Sequence, residues 1–532
     1  MMGVAKKIKW VPGFGLEREL DWLKNMHDWL ISKKNRYWGL ALPIYECKKC
    51  RHFEVLGSKE ELKEKAIDGW KEFEGHTPHK PFIDEVLIKC SKCGEAVKRI
   101  NDVGNPWLDA GIVPYSTITK NNQGQPLYLT NRKEWQQWFP ADLISESFPG
   151  QFKNWFYAMI AMSAVLENTN PYKTVIGYAT LTGEDGRPMH KSWGNMIEFN
   201  QAADKIGVDV MRWLFCRQDM MENLLFGYKK ADEVRRQFYL MLWNIYKFFV
   251  EYSNLDKSEI RNPKSETNPK SKNILDQWIK SRFIFLSEYV KEKLLAYNVK
   301  DAAIEIEKFV SDLSTWYIRR SRGRVWVNSD DELDKENFYQ TTYYILVNLS
   351  IILSPFLPFI SEEIYTNLTA KESVHLDFWP ETNENIDTSL IKEMAVIRQI
   401  VEIGHRVRKE LQLKVRQPLA EVKIELPVKL KGDLTKLIAS ELNVKKVILK
   451  TNKKIEQLKV VFDTRLSAQL KKEGELRELV RLIQAKRKEM GAHLDQPINL
   501  TIPEQFSEYR TYLRKKVICR KITIGGSLKI TL

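Results

Sequence analysis

Four of the six cysteines in this 532-residue chain fall into two pairs, Cys47-Lys-Lys-Cys50 and Cys90-Ser-Lys-Cys93. A two-residue spacing lets one turn aim both thiolates at a single ion, and two such turns complete a tetrahedral zinc site. Gly94 supports the second turn. The alternative is a cysteine scaffold that has lost its metal; disulfides are disfavoured in a reducing compartment. Cys216 and Cys519 read as ordinary buried thiols. A second candidate is Lys191, in a short basic loop after the acidic turn Glu184-Asp-Gly186. A mobile ammonium there suits phosphate oxygens whose charge grows during attack on phosphorus; a solvated basic loop is the plainer reading. A third is the run Arg319, Arg320, Arg322 and Arg324, interleaved with Trp316, Tyr317 and Trp326. Guanidinium groups among aromatics suit stacking on unpaired bases and phosphate contact. The competing reading is Arg–carboxylate pairing that packs two domains together.

The elements that must position these groups are read from periodicity. Leu16, Leu20, Leu23, Trp29 and Leu30 predict an amphipathic helix over 16–32, followed by a turn at 35–39 and a strand over 40–45. The cysteine pairs bracket a mixed insertion, 47–93. A buried helix over 155–166 and an apolar strand over 175–181 precede the Asp185-Gly186 turn. Beyond about residue 200 the pattern is helical, with segments at 204–217, 229–252, 274–297, 299–326 and 335–368. Residues 253–273 are nearly free of apolar side chains and read as a flexible surface loop. After an Asn/Glu/Thr-rich stretch near 381–390, a helix over 390–413 leads into strands at 422–426, 446–450 and 458–462 and a helix at 473–490. No internal repeat is evident. The expected fold class is α/β, then mostly α, then a small α+β domain.

Length alone implies two to four domains. No run of about 18 apolar residues suggests a membrane span, and the first ten residues lack the apolar core of a signal peptide, so a soluble intracellular protein is expected. The formal charge is +15, and residues 401–532 carry all of it, with 30 Lys+Arg against 15 Asp+Glu. A basic module on a neutral body suits a polyanion, although a Lys-rich solvated surface would look the same.

Several collinear blocks resemble the isoleucyl-tRNA synthetase family of class I. The stretch Met189-His-Lys-Ser192 is similar to the KMSKS loop, with Pro188 and His190 where that family has Lys and Ser. Asp28-Trp-Leu-Ile-Ser-Lys-Lys-Asn-Arg-Tyr-Trp-Gly39, Asn105-Pro-Trp-Leu-Asp-Ala-Gly111, Phe139-Pro-Ala-Asp142, Trp316-Tyr-Ile-Arg-Arg-Ser-Arg-Gly-Arg-Val-Trp326 and Lys414-Val-Arg-Gln-Pro-Leu419 resemble further blocks in order. The resemblance implies the second half of a Rossmann-type catalytic domain with a zinc insertion over 1–200, a helical anticodon-binding domain over 201–385 and a basic α+β domain over 386–532.

It also implies roles. Lys191, with Met189 and Ser192, would clamp ATP and its Mg ion, with Lys191 acting in catalysis; Arg187 would partly replace the Lys lost at Pro188. Glu146 and Gln151 would bind the aminoacyl-adenylate, with a loop between them one residue longer than usual. Trp107 and Trp155 would wall the isoleucine pocket, unless they are plain core. For Arg319, Arg320, Arg322 and Arg324 the polyanion expected from their residue types would be tRNA(Ile), and the basic segments Lys486-Arg-Lys488 and Arg514-Lys-Lys516 are equally candidates for its backbone. A pocket of this kind discriminates weakly against one missing methylene, and no block resembles an editing domain. No His-x-Gly-His element precedes residue 184; Glu402-Ile-Gly-His405 is out of order and reads as coincidence. The expectation is therefore that the first catalytic half comes from a partner polypeptide or an upstream segment, and that this chain alone is inactive and poorly soluble. A valyl- or leucyl-tRNA synthetase fragment and a non-catalytic tRNA-binding remnant are the alternatives.

Overall fold

The computed structural model describes residues 1–253, 271–326, 329, 331–381, 386–430, 434–455, 457–493 and 496–531. Most of the polar stretch read as a loop over 253–273 lies outside the described residues. The chain divides into two compact units, Met1–Met196 with Gln218–Phe226, and Ile197–Arg217 with Gly227–Leu532. None of the described helices is long and apolar enough to cross a membrane.

The first unit is built on a three-stranded parallel sheet in the order Lys9–Val11, Tyr172–Tyr178, Ala141–Ser147. The central strand reads Tyr-Lys-Thr-Val-Ile-Gly-Tyr and is buried along most of its length, as a parallel strand covered on both faces must be. The helix Trp155–Leu166 is almost wholly apolar and sinks Phe156, Met159 and Ile160 into a core shared with Trp10, Ile144, Tyr172 and Val175. The helix expected over 16–32 is shorter, Phe14–Asn25. The insertion closes a separate small core around Tyr45, Phe73, Val86 and Ile88, over the three-stranded antiparallel sheet Ala66–Asp68, Leu87–Lys89, Ala96–Lys98.

The second unit opens as helices. Two segments read as continuous are divided in the structure. Gly207, at φ 90°, separates Phe199–Ile206 from Val208–Cys216, a left-handed backbone that glycine adopts without strain. The segment read over 335–368 becomes Glu332–Leu353 and Pro358–Thr369. Pro358 starts the second helix because it has no N–H to give to the first. After the helix Thr388–Glu410 comes a sheet in which Leu419–Leu426 pairs parallel with Val444–Thr451 and antiparallel with Lys459–Phe462. After the helix Ala468–Glu489, Ile498–Pro503 pairs parallel with Cys519–Gly525 and antiparallel with Lys529–Thr531. The strands of this last sheet escaped the periodicity reading.

Candidate nucleotide and metal sites

The two cysteine turns are built alike. Cys47 N–H donates to the His52 carbonyl at 2.8 Å and Arg51 N–H to the Cys47 carbonyl at 2.9 Å; Cys90 N–H donates to the Glu95 carbonyl at 2.8 Å and Gly94 N–H to the Cys90 carbonyl at 2.9 Å. The residue after each second cysteine pair position turns left-handed, Arg51 at φ 62° and Gly94 at φ 76°. The four sulfurs lie within 4.8 Å of one another, with Cys47–Cys93 at 3.5 Å and Cys50–Cys90 at 3.7 Å. A tetrahedral site with metal–sulfur bonds of about 2.3 Å has edges of about 3.8 Å, so the donor set fits a thiolate-bound metal. The Cys50 N–H facing the Cys47 sulfur holds that thiol below its ordinary pKa. Glu54 steadies the second turn by accepting the Ser91 N–H at 3.0 Å and Lys65 Nζ at 2.9 Å.

Glu146 sits near the carboxyl end of the edge strand Ala141–Ser147, the end at which open α/β sheets bind ligands. Its Oε1 accepts the Ser147 N–H at 2.7 Å and the Tyr178 hydroxyl at 2.9 Å. Burial, followed by this bond to Glu146, raises the Tyr178 hydroxyl above its ordinary pKa. Tyr178 closes the neighbouring strand in register with Ser147, so two adjacent strand ends present one polar pair. Gln151 does not reach Glu146's partners; its Oε1 accepts the Trp155 N–H at 3.4 Å and begins the helix.

Trp107 and Trp155 stand on helices that pack together, Pro106–Gly111 and Trp155–Leu166. Trp155 Nε1 donates to the Ala110 carbonyl at 3.3 Å. Gly111 permits the approach, because a Cβ there would lie 2.8 Å from the Ala158 carbonyl oxygen. Asn105 caps the first helix by accepting the Trp107 N–H at 3.1 Å. Both indoles remain half-buried, which leaves each a face outside the packed core.

Lys191 and Ser192 are exposed in a one-turn helix, Lys191–Trp193, and Met189 is half-buried just before it. The loop is closed on itself. Asn195 Oδ1 accepts the His190 N–H at 2.9 Å, and its Nδ2 donates to the Pro188 carbonyl at 2.9 Å. Gly194, at φ 68°, makes the return. Arg187 is committed elsewhere: it binds Asp185 through Nε at 2.7 Å and its own N–H at 3.0 Å. The Arg187 backbone and side chain hold the Asp185 carboxyl below its usual range. Asn195 and Tyr178 are the site residues that motif reading missed. Neither has a sequence signal, since their partners lie several residues or a whole strand away.

The arginine run divides. Arg324 is mostly buried and binds Asp276 and Asp334, with Nη1 and Nη2 at 2.7 and 2.8 Å from the Asp276 oxygens. Arg320 pairs with Glu441, which also receives Arg319 Nη2 at 2.6 Å. Pairing with carboxylates thus describes Arg319, Arg320 and Arg324, of which Arg319 stays exposed, as does Arg322. In the basic segment 486–488, Arg487 is buried, with Nη1 2.6 Å from the Val517 carbonyl oxygen, so it is not a surface cation. His405 lies inside the helix Thr388–Glu410, where burial lowers its pKa.

Residues 1–226 match the family described as tRNA synthetases class I (I, L, M and V), and residues 276–424 match the anticodon-binding domain of tRNA ligase. An isoleucine–tRNA ligase of Clostridium tetani is 38% identical over 83% of this chain and 42% of its own length. One from Dehalococcoides mccartyi is 35% identical over 98% of this chain and 53% of its own, and one from Thermus thermophilus 33% identical over 92% and 47%. The chain thus spans about half the length of the curated relatives it matches. The ternary complex of an Agrobacterium radiobacter LeuRS with tRNA and LeuAMS superimposes with a TM-score of 0.51 at 15% identity, over 95% of this chain and 51% of that one, a likeness of fold. With one match on the parallel sheet, another on the helices and relatives collinear over most of its length, the chain carries a class I tRNA synthetase domain of the isoleucine, leucine, methionine and valine group followed by an anticodon-binding domain of tRNA ligases.

Proposed function

We propose that this chain carries the ATP-clamping and tRNA-reading part of an isoleucine–tRNA ligase, acting in the cytoplasm. The observation that carries the reading is the run of isoleucine–tRNA ligases aligned over 83–98% of the chain. The reaction couples isoleucine to ATP·Mg as an adenylate and then transfers the acyl group to tRNA(Ile). Lys191 meets the phosphates: its exposed ammonium sits on a loop whose ends are pinned by Asn195, so it can swing onto the triphosphate without the loop unravelling. Met189 and Ser192 shape the same turn. Glu146, oriented by Tyr178, pairs with the ammonium of the amino acid or the ribose, since a cation taken from water needs a partner. Gln151 assists at the start of the helix that bears Trp155, and Trp155 and Trp107 offer rigid indole faces to the side chain.

The four cysteines hold a structural zinc, a reading supported by sulfur separations near those of a tetrahedral thiolate site. The ion fixes the insertion and takes no part in acyl transfer. The functional division is catalytic over 1–200, anticodon-binding over 201–385 and a basic α+β domain over 386–532. From the arginine run, RNA contact falls to Arg322 and the exposed part of Arg319, while Arg320 and Arg324 hold the segment in place. The other catalytic half is supplied along the same polypeptide or by a separate chain.

Isoleucine-dependent ATP–pyrophosphate exchange tests the reading. Exchange by the chain joined to, or mixed with, a polypeptide bearing the His-x-Gly-His half is the expected result. Binding of tRNA with no exchange in any pairing would instead identify a non-catalytic remnant, and exchange driven by valine or leucine would move the specificity.

A further inference from the structure

The two small sheets at the end of the chain share more than strand order. Each follows a long helix, and each helix ends in the same way: Leu413 N–H reaches the Arg408 carbonyl at 2.8 Å, and Ala492 N–H reaches the Arg487 carbonyl at 3.0 Å. The intervening residues Gln412 and Gly491 are left-handed, at φ 55° and 68°. Arg408 and Arg487 are both buried, with 0% and 4% exposure, and both donate to backbone carbonyls. Arg408 Nη1 donates to the carbonyl six residues on, Lys414, at 2.9 Å, and Nη2 to Leu442 and Asn443 at 2.8 and 3.1 Å. Arg487 Nη2 donates to the carbonyl six residues on, His493, at 3.1 Å, and Nη1 to Val517 and Ile518 at 2.6 and 3.4 Å. Asn443 and Ile518, the second carbonyl in each set, both have φ 49°. Each also accepts the first strand's N–H, from Leu419 at 3.1 Å and Ile498 at 3.0 Å.

The correspondence extends to sequence once the structure sets the register. Arg408-Lys-Glu-Leu-Gln-Leu-Lys-Val-Arg-Gln-Pro-Leu419 aligns without gaps to Arg487-Lys-Glu-Met-Gly-Ala-His-Leu-Asp-Gln-Pro-Ile498, identical at five of twelve positions. Packing partners change together: Gly404 leaves room for Leu442, which would collide with a Cβ at 404, while at the matching positions Ile483 and Val517 share one core. A bulky residue has moved from one side of the contact to the other.

The faces of the two short helices have diverged. In the first copy Thr435–Glu441 ends in Glu441, whose carboxylate takes both Arg319 and Arg320 of the helical body, and Leu437 one turn earlier is 8% exposed. The matching positions in Arg510–Val517 are Lys516 and Tyr512. Lys516 is exposed and Tyr512 is 39% exposed. The charge is inverted and the apolar residue has become an aromatic with a polar tip. Residues 509–531 hold seven Lys and Arg and no Asp or Glu.

We infer that residues 388–462 and 468–531 are two copies of one module, and that the helix face with which the first copy grips the Arg319–Arg320 pair serves in the second copy to grip an RNA backbone. An i, i+4 tyrosine and lysine supply a stacking surface for an unpaired base beside a cation for its phosphate. The partner's identity as tRNA rests on the function proposed above.

Titration of the full chain with tRNA across a salt series tests this, with K516E and Y512A compared against K133E, an equal charge change at an exposed lysine of the other unit. K516E is expected to weaken binding about tenfold and to reduce the slope of log K against log salt by about one. Y512A is expected to weaken binding with the slope unchanged, and K133E to bind as wild type. Unchanged thermal midpoints establish that the variants are folded. K516E binding tRNA with wild-type affinity and slope would overturn the inference while leaving the proposed function intact. Failure of the wild-type chain to bind tRNA at any salt would instead remove the reading on which it rests.

Discussion

Arg324 spans two carboxylates, donating to both oxygens of Asp276 at 2.7 and 2.8 Å and through Nε to Asp334 at 2.8 Å. Asp276 is fully buried and also accepts the Tyr317 hydroxyl at 2.8 Å and the Ser271 hydroxyl at 2.6 Å. The pair therefore ties the helix Ile274–Leu295 to the turn that follows Ser321 and to the start of Glu332–Leu353. Removing one partner of a buried pair leaves the other charge uncompensated, a loss of about 3–5 kcal/mol. Arg324→Ala is expected to destabilise the second unit by that order in urea unfolding. Arg322→Ala, at an exposed position beside the Phe248 ring, is expected to leave stability within about 0.5 kcal/mol of wild type and to weaken tRNA binding. Loss of stability at 322 and not at 324 would reverse the assignment.

Lys191 and Asn195 have separable effects. On the proposed function, Lys191→Ala takes away the charge offered to the transition state, and a slowing of adenylate formation by about 10²–10³ is expected. Asn195→Ala removes the two bonds that close the loop without removing the ammonium. It is expected to raise the KM for ATP more than it lowers kcat, measured by pyrophosphate exchange in the complete enzyme. An Asn195→Ala variant with wild-type KM would show that the ring of bonds is incidental.

Glu19 is fully buried on the helix Phe14–Asn25, and neither carboxylate oxygen has a hydrogen-bond partner. Burial raises its pKa from 4.5 to about 8, with Tyr157 and Tyr172 as the titratable groups nearest in effect. Between those values the folded state holds a proton that the unfolded state has lost. Stability should therefore fall as pH rises from about 4.5 to 8 and level off above, with a limiting slope of about 1.4 kcal/mol per pH unit. Glu19→Gln removes the titration. The gap in its favour is expected to widen from pH 5 to pH 8 in denaturant melts, and parallel pH profiles for the two proteins would refute the assignment.

Zinc content should follow the four sulfurs. One zinc per chain is expected by elemental analysis, and Cys90→Ser should release it and loosen the core around Tyr45, Phe73 and Ile88. Because a structural site contributes its binding energy to folding, chelator should lower the thermal midpoint of wild type and leave that of Cys90→Ser unmoved. Full zinc retention by the variant would place the metal elsewhere.

The two cysteine turns, the loop around Lys191 and the helical run were legible in the sequence because each depends on local spacing. A Cys-x-x-Cys turn, an acidic-Gly turn and a 3.6-residue period are fixed by neighbours within a few residues. The helix Trp155–Leu166 was bounded by the extent of its apolar run, between Asn154 and Glu167. What local spacing could not reveal is which partner a polar group finds. Arg319 to Arg324 form one basic run in sequence, yet Asp276, Asp334 and Glu441, far away along the chain, bury two of them and leave Arg322 outside. Asn195 and Tyr178 acquire their roles only when the loop closes and the strands come into register. The repeated module is written in the sequence only as Arg-Lys-Glu and Gln-Pro at equal spacing, too short a match to single out before the structure set the register. The sequence determined the family and the chemistry available; tertiary structure decided which charges are exposed to act and which are held inside, because desolvation and pairing are set by three-dimensional neighbours.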